Sequence, residues 1–319
     1  MWQIEQVPPS KELEGLTLVV GAGRADSQVL AGLDSLRAYL AGLNRDDYSL
    51  WWARDAKAAL AAALLVRSPG RTGTILNSST DYGMIPQDAL AQLLETMTRL
   101  VLGPDLVLVQ SLLWPYSAGD ARAYEAAGYS LLAELIYMRL MLRGRTIPPA
   151  IAEVPLEFLR YAPQTHSLFA GTILASYQDS LDCPALEGLR GIDDILAGHK
   201  ASGLFRPDLW IVAVSAGQPA GVLLLNENIA SSALEVSYVG VTKAFRGKGL
   251  GRALLAKAAE LAVSERLSTI SLAVDARNHY AMRLYERTGF VEYARRLAYM
   301  RTWRSAEPAA TPLVQAEPS

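Results

Sequence analysis

Of its 319 residues the chain spends only one on cysteine and three on histidine. Cys183 has no second cysteine to pair with, so no internal disulfide braces the fold. The histidines at 166, 199 and 279 form no close pair, and no zinc site is expected. An excess of one charge sign is missing too. The net charge of −2 argues against a nucleic-acid or membrane-surface role for the molecule as a whole. Long apolar runs are absent. The longest, Ala58 to Val66, falls far short of the roughly 20 residues that cross a bilayer. The opening stretch MWQIEQVPPSKELEG has no cationic start followed by an apolar core, so no secretory signal is expected there. These absences point to a cytoplasmic protein with no metal, no nucleic-acid partner and no membrane partner.

Apolar residues are what the chain does have. At 51% they suffice for packed cores, and the length accommodates two domains. The final segment, residues 305–319, is rich in Pro, Ala and Glu and is expected to be disordered.

The chain also repeats itself. Shifted by 161 residues, its first half lies on its second. Asp47 to Trp52 falls on Asp208 to Ala213, and Ala61 to Val66 on Val222 to Glu227. The helical pattern Ala89 to Leu102 falls on Leu250 to Val263, and YEAAGY from Tyr124 on YERTGF from Tyr285. Tyr137-Met138-Arg139 answers Tyr299-Met300-Arg301 with a one-residue slip. The constant order and offset imply a duplicated domain, with residues 1–143 and 151–304 as the copies. The connecting segment 144–150 contains Pro148-Pro149, which breaks regular structure.

In the second copy, periodicity predicts helices over Leu168–Leu181 and Ile192–Lys200. Strands follow over Trp210–Ser215, Ala220–Asn226 and Leu234–Val241. A helix is expected over Leu250–Ser264, a strand over Ile270–Val274, and a helix over Ala281–Thr288 closed by Gly289. Final strands are expected within Val291–Trp303.

Between strand and helix lies Arg246-Gly247-Lys248-Gly249-Leu250-Gly251. Free N–H groups at a helix start, together with the helix dipole, make an anion site. The glycines let the backbone approach closely. Arg246, Lys248 and Arg252 add positive charge, so the ligand is anionic, with phosphate the natural candidate; the alternative is a cationic turn opening a surface helix. No G-x-x-x-x-G-K-[ST] is present, which excludes an ATPase loop. Gly21-Ala22-Gly23, read as following a strand, has Asp26 where a dinucleotide fingerprint needs its third glycine.

R-x-x-G-x-G between a strand ending in V-G-V and a long helix resembles the acetyl-CoA loop of the GCN5-related N-acetyltransferases (GNAT). Asp275-Ala276-Arg277-Asn278 and the run LYERTGF from Leu284 match that family as well. A tandem pair with its intact loop in the second copy is similar to mycothiol synthase. The resemblance implies an α+β fold of two tandem GNAT-like domains, each a mixed, mostly antiparallel central sheet flanked by helices. It implies acetyl-CoA as co-substrate, with the pyrophosphate on the amides of Arg246, Gly247, Lys248, Gly249, Leu250 and Gly251, beside Arg252. The pantetheine arm would run along Val239, Gly240 and Val241. A backbone N–H near Val239 would polarise the thioester carbonyl. Asn278 matches a position that contacts the arm, and an Asx turn is the alternative.

By the same resemblance Glu235 is the candidate base, since an amine is mostly protonated at neutral pH. Tyr285 is the candidate acid for the leaving thiolate. An exposed strand glutamate and a half-buried packing tyrosine are the alternatives. The implied activity is N-acetyl transfer to an amine acceptor, taken to be a small molecule. A polypeptide amine, or an acyl-CoA sensor without turnover, are the competing functions. The first copy offers Asp88 and Leu90 where the second has Gly249 and Gly251, and Thr74 where it has Glu235. Asp88 is expected to cap its helix.

Overall fold

The structure, a computed structural model, describes residues 2–21, 26–143, 152–229 and 231–303. The connecting segment 144–150 and the tail 305–319 lie outside the described residues.

Each half lays down the same order of elements. The first runs β1 (Gln3–Gln6), α1 (Glu12–Gly21), α2 (Asp26–Ala41), β2 (Tyr48–Arg54), β3 (Ala59–Ser68) and β4 (Thr72–Asn77). It continues with α3 (Gln87–Val101), β5 (Leu108–Leu113), α4 (Ala118–Ala126) and β6 (Ser130–Met141). The second runs β7 (Glu157–Arg160), α5 (His166–Tyr177), α6 (Ile192–Ala201), β8 (Leu204–Ser215), β9 (Gln218–Asn228) and β10 (Ala233–Val241). Then come α7 (Leu250–Ser264), β11 (Thr269–Asp275), α8 (His279–Thr288) and β12 (Val291–Thr302).

The longest apolar runs become strands covered on both faces. In β9, Leu223 and Leu225 pack with α7, while Val222 and Leu224 pack with Phe169 and Ile173 of α5 and Leu196 of α6. Alternation along one strand thus feeds two cores.

All strands join one 12-stranded sheet in the order β1-β2-β3-β4-β5-β12-β6-β11-β10-β9-β8-β7. The halves exchange their last strands. β6 of the first repeat pairs with β11 along Leu135–Met141, and β12 of the second pairs with β5 along Leu108–Leu113. β6 and β12 also pair antiparallel at the centre. Ile136, Met138 and Leu140 of β6 therefore pack in the core of the second half.

Four local expectations are corrected. The run before Gly21 is helix α1, not a strand, so no strand-to-glycine turn precedes that G-x-G. The helix foreseen over Leu168–Leu181 ends at Tyr177, and Val291–Thr302 is a single strand. Asp88 is not an N-cap. Pro86 occupies that position with extended backbone, α3 begins at Gln87, and the Asp88 carboxylate accepts from the Trp2 indole N–H at 3.0 Å.

Candidate active site

Parallel pairing of β10 with β11 stops at Val236↔Leu272. A bulge follows between Val236 and Tyr238, and on its other side β10 stays paired to β9 through Val241. The edge from Ser237 to Gly240 is thus turned toward a gap, where its backbone groups can meet an added strand. The same split occurs in the first half, where β4 and β5 pair only over Thr72–Thr74 and Leu108–Gln110.

A cavity of about 650 Å³ fills the gap in the second half. Its floor is Val236–Val241, one end is the loop at the start of α7, and its walls include Asn278 and Tyr285. At the loop, Gly247 and Gly249 have φ of 79° and 78°, the left-handed conformation that glycine adopts without strain. Gly249 caps α7 without any side-chain hydrogen bond. The first N–H groups of α7 consequently have no intrahelical acceptor, and they face the cavity end.

The cations divide their tasks. The Arg246 guanidinium donates to the carbonyls of Ser176 (3.0 Å), Gln178 (2.6 Å) and Val241 (3.2 Å), tying the end of α5 to the loop. Lys248 donates to the Ala244 carbonyl at 3.0 Å and does not line the cavity. Arg252 lines it and has no hydrogen-bond partner among the described residues. Asn278 spends its side-chain oxygen capping α8, accepting from the Ala281 N–H at 3.2 Å, as an Asx turn would.

Tyr285 is buried, but its hydroxyl has no hydrogen-bond partner among the described residues and the residue lines the cavity. Burial, with a smaller contribution from Asp182, raises its pKa, so the phenol holds its proton. Its repeat counterpart is different. Tyr124 is fully buried and donates to the Asn77 side chain at 2.8 Å.

Glu235 lines a second cavity, of about 390 Å³, with Asn228, Ser271, Tyr137, Arg139 and Tyr293. Leu272 lines both cavities. Burial raises the Glu235 carboxyl pKa, and the Asn228 amide at 3.4 Å opposes that only weakly. The two candidate proton-transfer groups therefore stand in adjoining chambers.

Sequence reasoning missed three groups here. Asp182 lines the first cavity and its carboxyl, raised by burial, accepts from the Asp275 N–H at 3.2 Å. Ser237 lies at the bulge and is held by His199 at 2.8 Å, a half-buried histidine whose pKa desolvation pushes down to about 4. Tyr238 pairs with Ser176 at 2.8 Å. A serine in an apolar strand and an aspartate in a loop carry no spacing signal, so only the packing reveals them.

Residues 179–290, which hold the loop, the split strands and Tyr285, match the acetyltransferase (GNAT) family. The second repeat carries a GNAT domain. Among curated proteins, the chain is 28% identical over 188 residues to the mycothiol acetyltransferase of Paenarthrobacter aurescens, covering 56% of this chain and 57% of that one. It is 32% identical over 198 residues to the mycothiol acetyltransferase of Gordonia bronchialis, covering 58% and 64%. The chain thus spans less than two thirds of these relatives' length. Among solved structures, a GCN5-related N-acetyltransferase from Sphaerobacter thermophilus superposes with a TM-score of 0.63 at 18% identity, covering 94% of this chain and 95% of that one. A tandem GNAT protein from the clavulanic acid biosynthesis pathway superposes at 0.51 and 14% identity, covering 95% and 98%. The tandem GNAT fold therefore extends over both repeats.

Proposed function

We propose that the GNAT domain moves an acetyl group from acetyl-CoA to the amine of a small molecule. One observation carries the reading: two cavities share Leu272 in their linings, one running from the uncapped start of α7 to the strand split, the other holding Glu235. The free amides of the loop suit a pyrophosphate. The open edge of β10 suits a pantetheine arm, and an N–H on it would polarise the thioester carbonyl. In this scheme Glu235 takes a proton from the acceptor ammonium, directly or through water. The amine nitrogen then bonds the acetyl carbon as the carbon–sulfur bond breaks, Tyr285 protonates the departing thiolate, and the second proton shed by the nitrogen returns through water to the Tyr285 phenolate, while Glu235 gives its proton up to solvent.

A chamber of about 390 Å³ is the size of a small-molecule site, and the relatives named for mycothiol acetylation support a small acceptor. The test is CoA release from acetyl-CoA across a panel of small amines and peptides. Turnover only with peptides would replace the small acceptor with a polypeptide. Binding of acetyl-CoA with no turnover on any amine would make the domain a sensor.

The first repeat is expected to bind no acetyl-CoA. Its equivalent cavity, about 470 Å³ at the β4–β5 split, is lined by Asp81 and Asp120 and by no lysine or arginine. Its helix α3 has Pro86 at the cap position, which has no N–H to give, and carries Asp88 in the first turn. Calorimetric titration of the chain should give one equivalent of acetyl-CoA. A second equivalent would overturn this account of the first repeat.

A further inference from the structure

We infer that the acceptor carries an anionic group, a carboxylate or a phosphate, close to its amine, and that Arg139 of the first repeat holds it. The inference rests on the reading of the Glu235 chamber as the acceptor site.

The strand exchange sets the geometry. Glu235 of β10 is registered with Ser271 of β11, and Ser271 with Arg139 of β6. The three residues form one row across three adjacent strands, and all three line the same chamber. Adjacent strands are about 4.8 Å apart, so the acid and the cation are anchored about 10 Å from each other. Ser271 sits between them. One carboxylate and one guanidinium line the chamber, so its charge matches a ligand that carries both signs.

Neither charge is consumed by the protein. Glu235 has the Asn228 amide as its partner, and burial rather than a cation dominates its titration. Arg139 is exposed, stands 5.4 Å from the centre of the Tyr293 ring, and has no carboxylate within 4.0 Å among the described residues. The neighbouring arginines are engaged. Arg295 pairs with Glu134 at 2.9 Å and Glu292 at 2.6 Å, and Arg296 lies 3.1 Å over the Trp114 ring. A planar guanidinium grips a carboxylate or phosphate through two parallel hydrogen bonds. Ser231 and Ser271 line the same chamber with hydroxyls that can donate to the same anion.

The chamber's second wall is thus made by the first repeat. Tyr137 and Arg139 reach it only because β6 lies against β11. This gives the degenerate copy a part in choosing the acceptor.

The test uses matched amines with the full chain: an amino acid against its amide, and an aminoalkyl phosphate against the corresponding amino alcohol. Initial rates of CoA release give kcat/KM for each. The anionic member of at least one pair should be preferred by about tenfold or more, the scale of one charge-assisted interaction. Which pair shows the preference tells carboxylate from phosphate. In Arg139→Gln that ratio should fall toward unity through a raised KM, with circular dichroism confirming the fold. Equal use of both members by the unaltered chain overturns the inference, as does a ratio that survives in Arg139→Gln. Release with neutral amines alone removes the anion and leaves acetyl transfer standing. No release with any amine removes both.

Discussion

Gly249→Asp should abolish detectable acetyl-CoA binding while the chain stays folded. Gly249 is the cap of α7, at φ 78°, and no side chain closes the helix start. The substitution puts a carboxylate where the loop amides converge. An aspartate there accepts from those amides itself, as a cap residue does, and removes them from any phosphate. It also sets like charge against the pyrophosphate, a juxtaposition that costs several kcal/mol. A loss of about 3 kcal/mol corresponds to more than about 100-fold in affinity. Aspartate tolerates left-handed backbone better than most residues, so the fold should survive. Calorimetry reads the affinity and circular dichroism the fold. An unchanged dissociation constant in a folded variant would remove the loop from the binding site.

Tyr285→Phe and Glu235→Gln should each lower kcat by about 100-fold, the scale of losing one proton-transfer group, with little change in acetyl-CoA affinity. Their pH profiles should differ. Burial raises the Glu235 carboxyl above the ordinary glutamate range, so the base form appears only as pH rises through that elevated value. Activity should climb with pH across that limb, and Glu235→Gln should flatten it. Tyr285, also raised by burial, keeps its proton throughout the working range, so Tyr285→Phe should lower the rate and leave the limb in place. Normal turnover in both variants, with an acceptor the unaltered chain uses, would show that other groups move the protons.

Local chemistry made much of this legible. The start of α7 at Leu250 follows from glycines meeting a run of helix formers, and the repeat followed from an offset that keeps β3 against β9 and α3 against α7. Glu235 and Tyr285 were named from sequence, but their adjoining chambers were not, because alternation places a side chain on a face without saying what lies across it. The strand exchange was hidden for a related reason. The pattern of β6 suits pairing with β5 or with β11 equally well, and only tertiary packing chooses. Asp88 has the side-chain chemistry of a cap, but Pro86 takes that position and α3 begins at Gln87. The engagement of Arg246 by the carbonyls of α5 depends on where that helix ends, which its periodicity overran by four residues, from Tyr177 to Leu181.

The placement of β12 against β5 also sets a timetable for synthesis. On the ribosome, the first repeat emerges without the final partner of Leu108–Leu113 until Leu297–Thr302 leave the exit tunnel, more than half a chain later. β6 meanwhile can fold back onto that strand, the pairing an ordinary undivided sheet would use. To reach the final arrangement β12 must enter between them, and β6 must move across to β11. Long-range strand pairing of this kind is slow, and open edges are where growing chains aggregate. Stop-codon truncations before Val291 should therefore yield chains that self-associate through β5, and the nascent protein should depend more on chaperones than its composition would suggest.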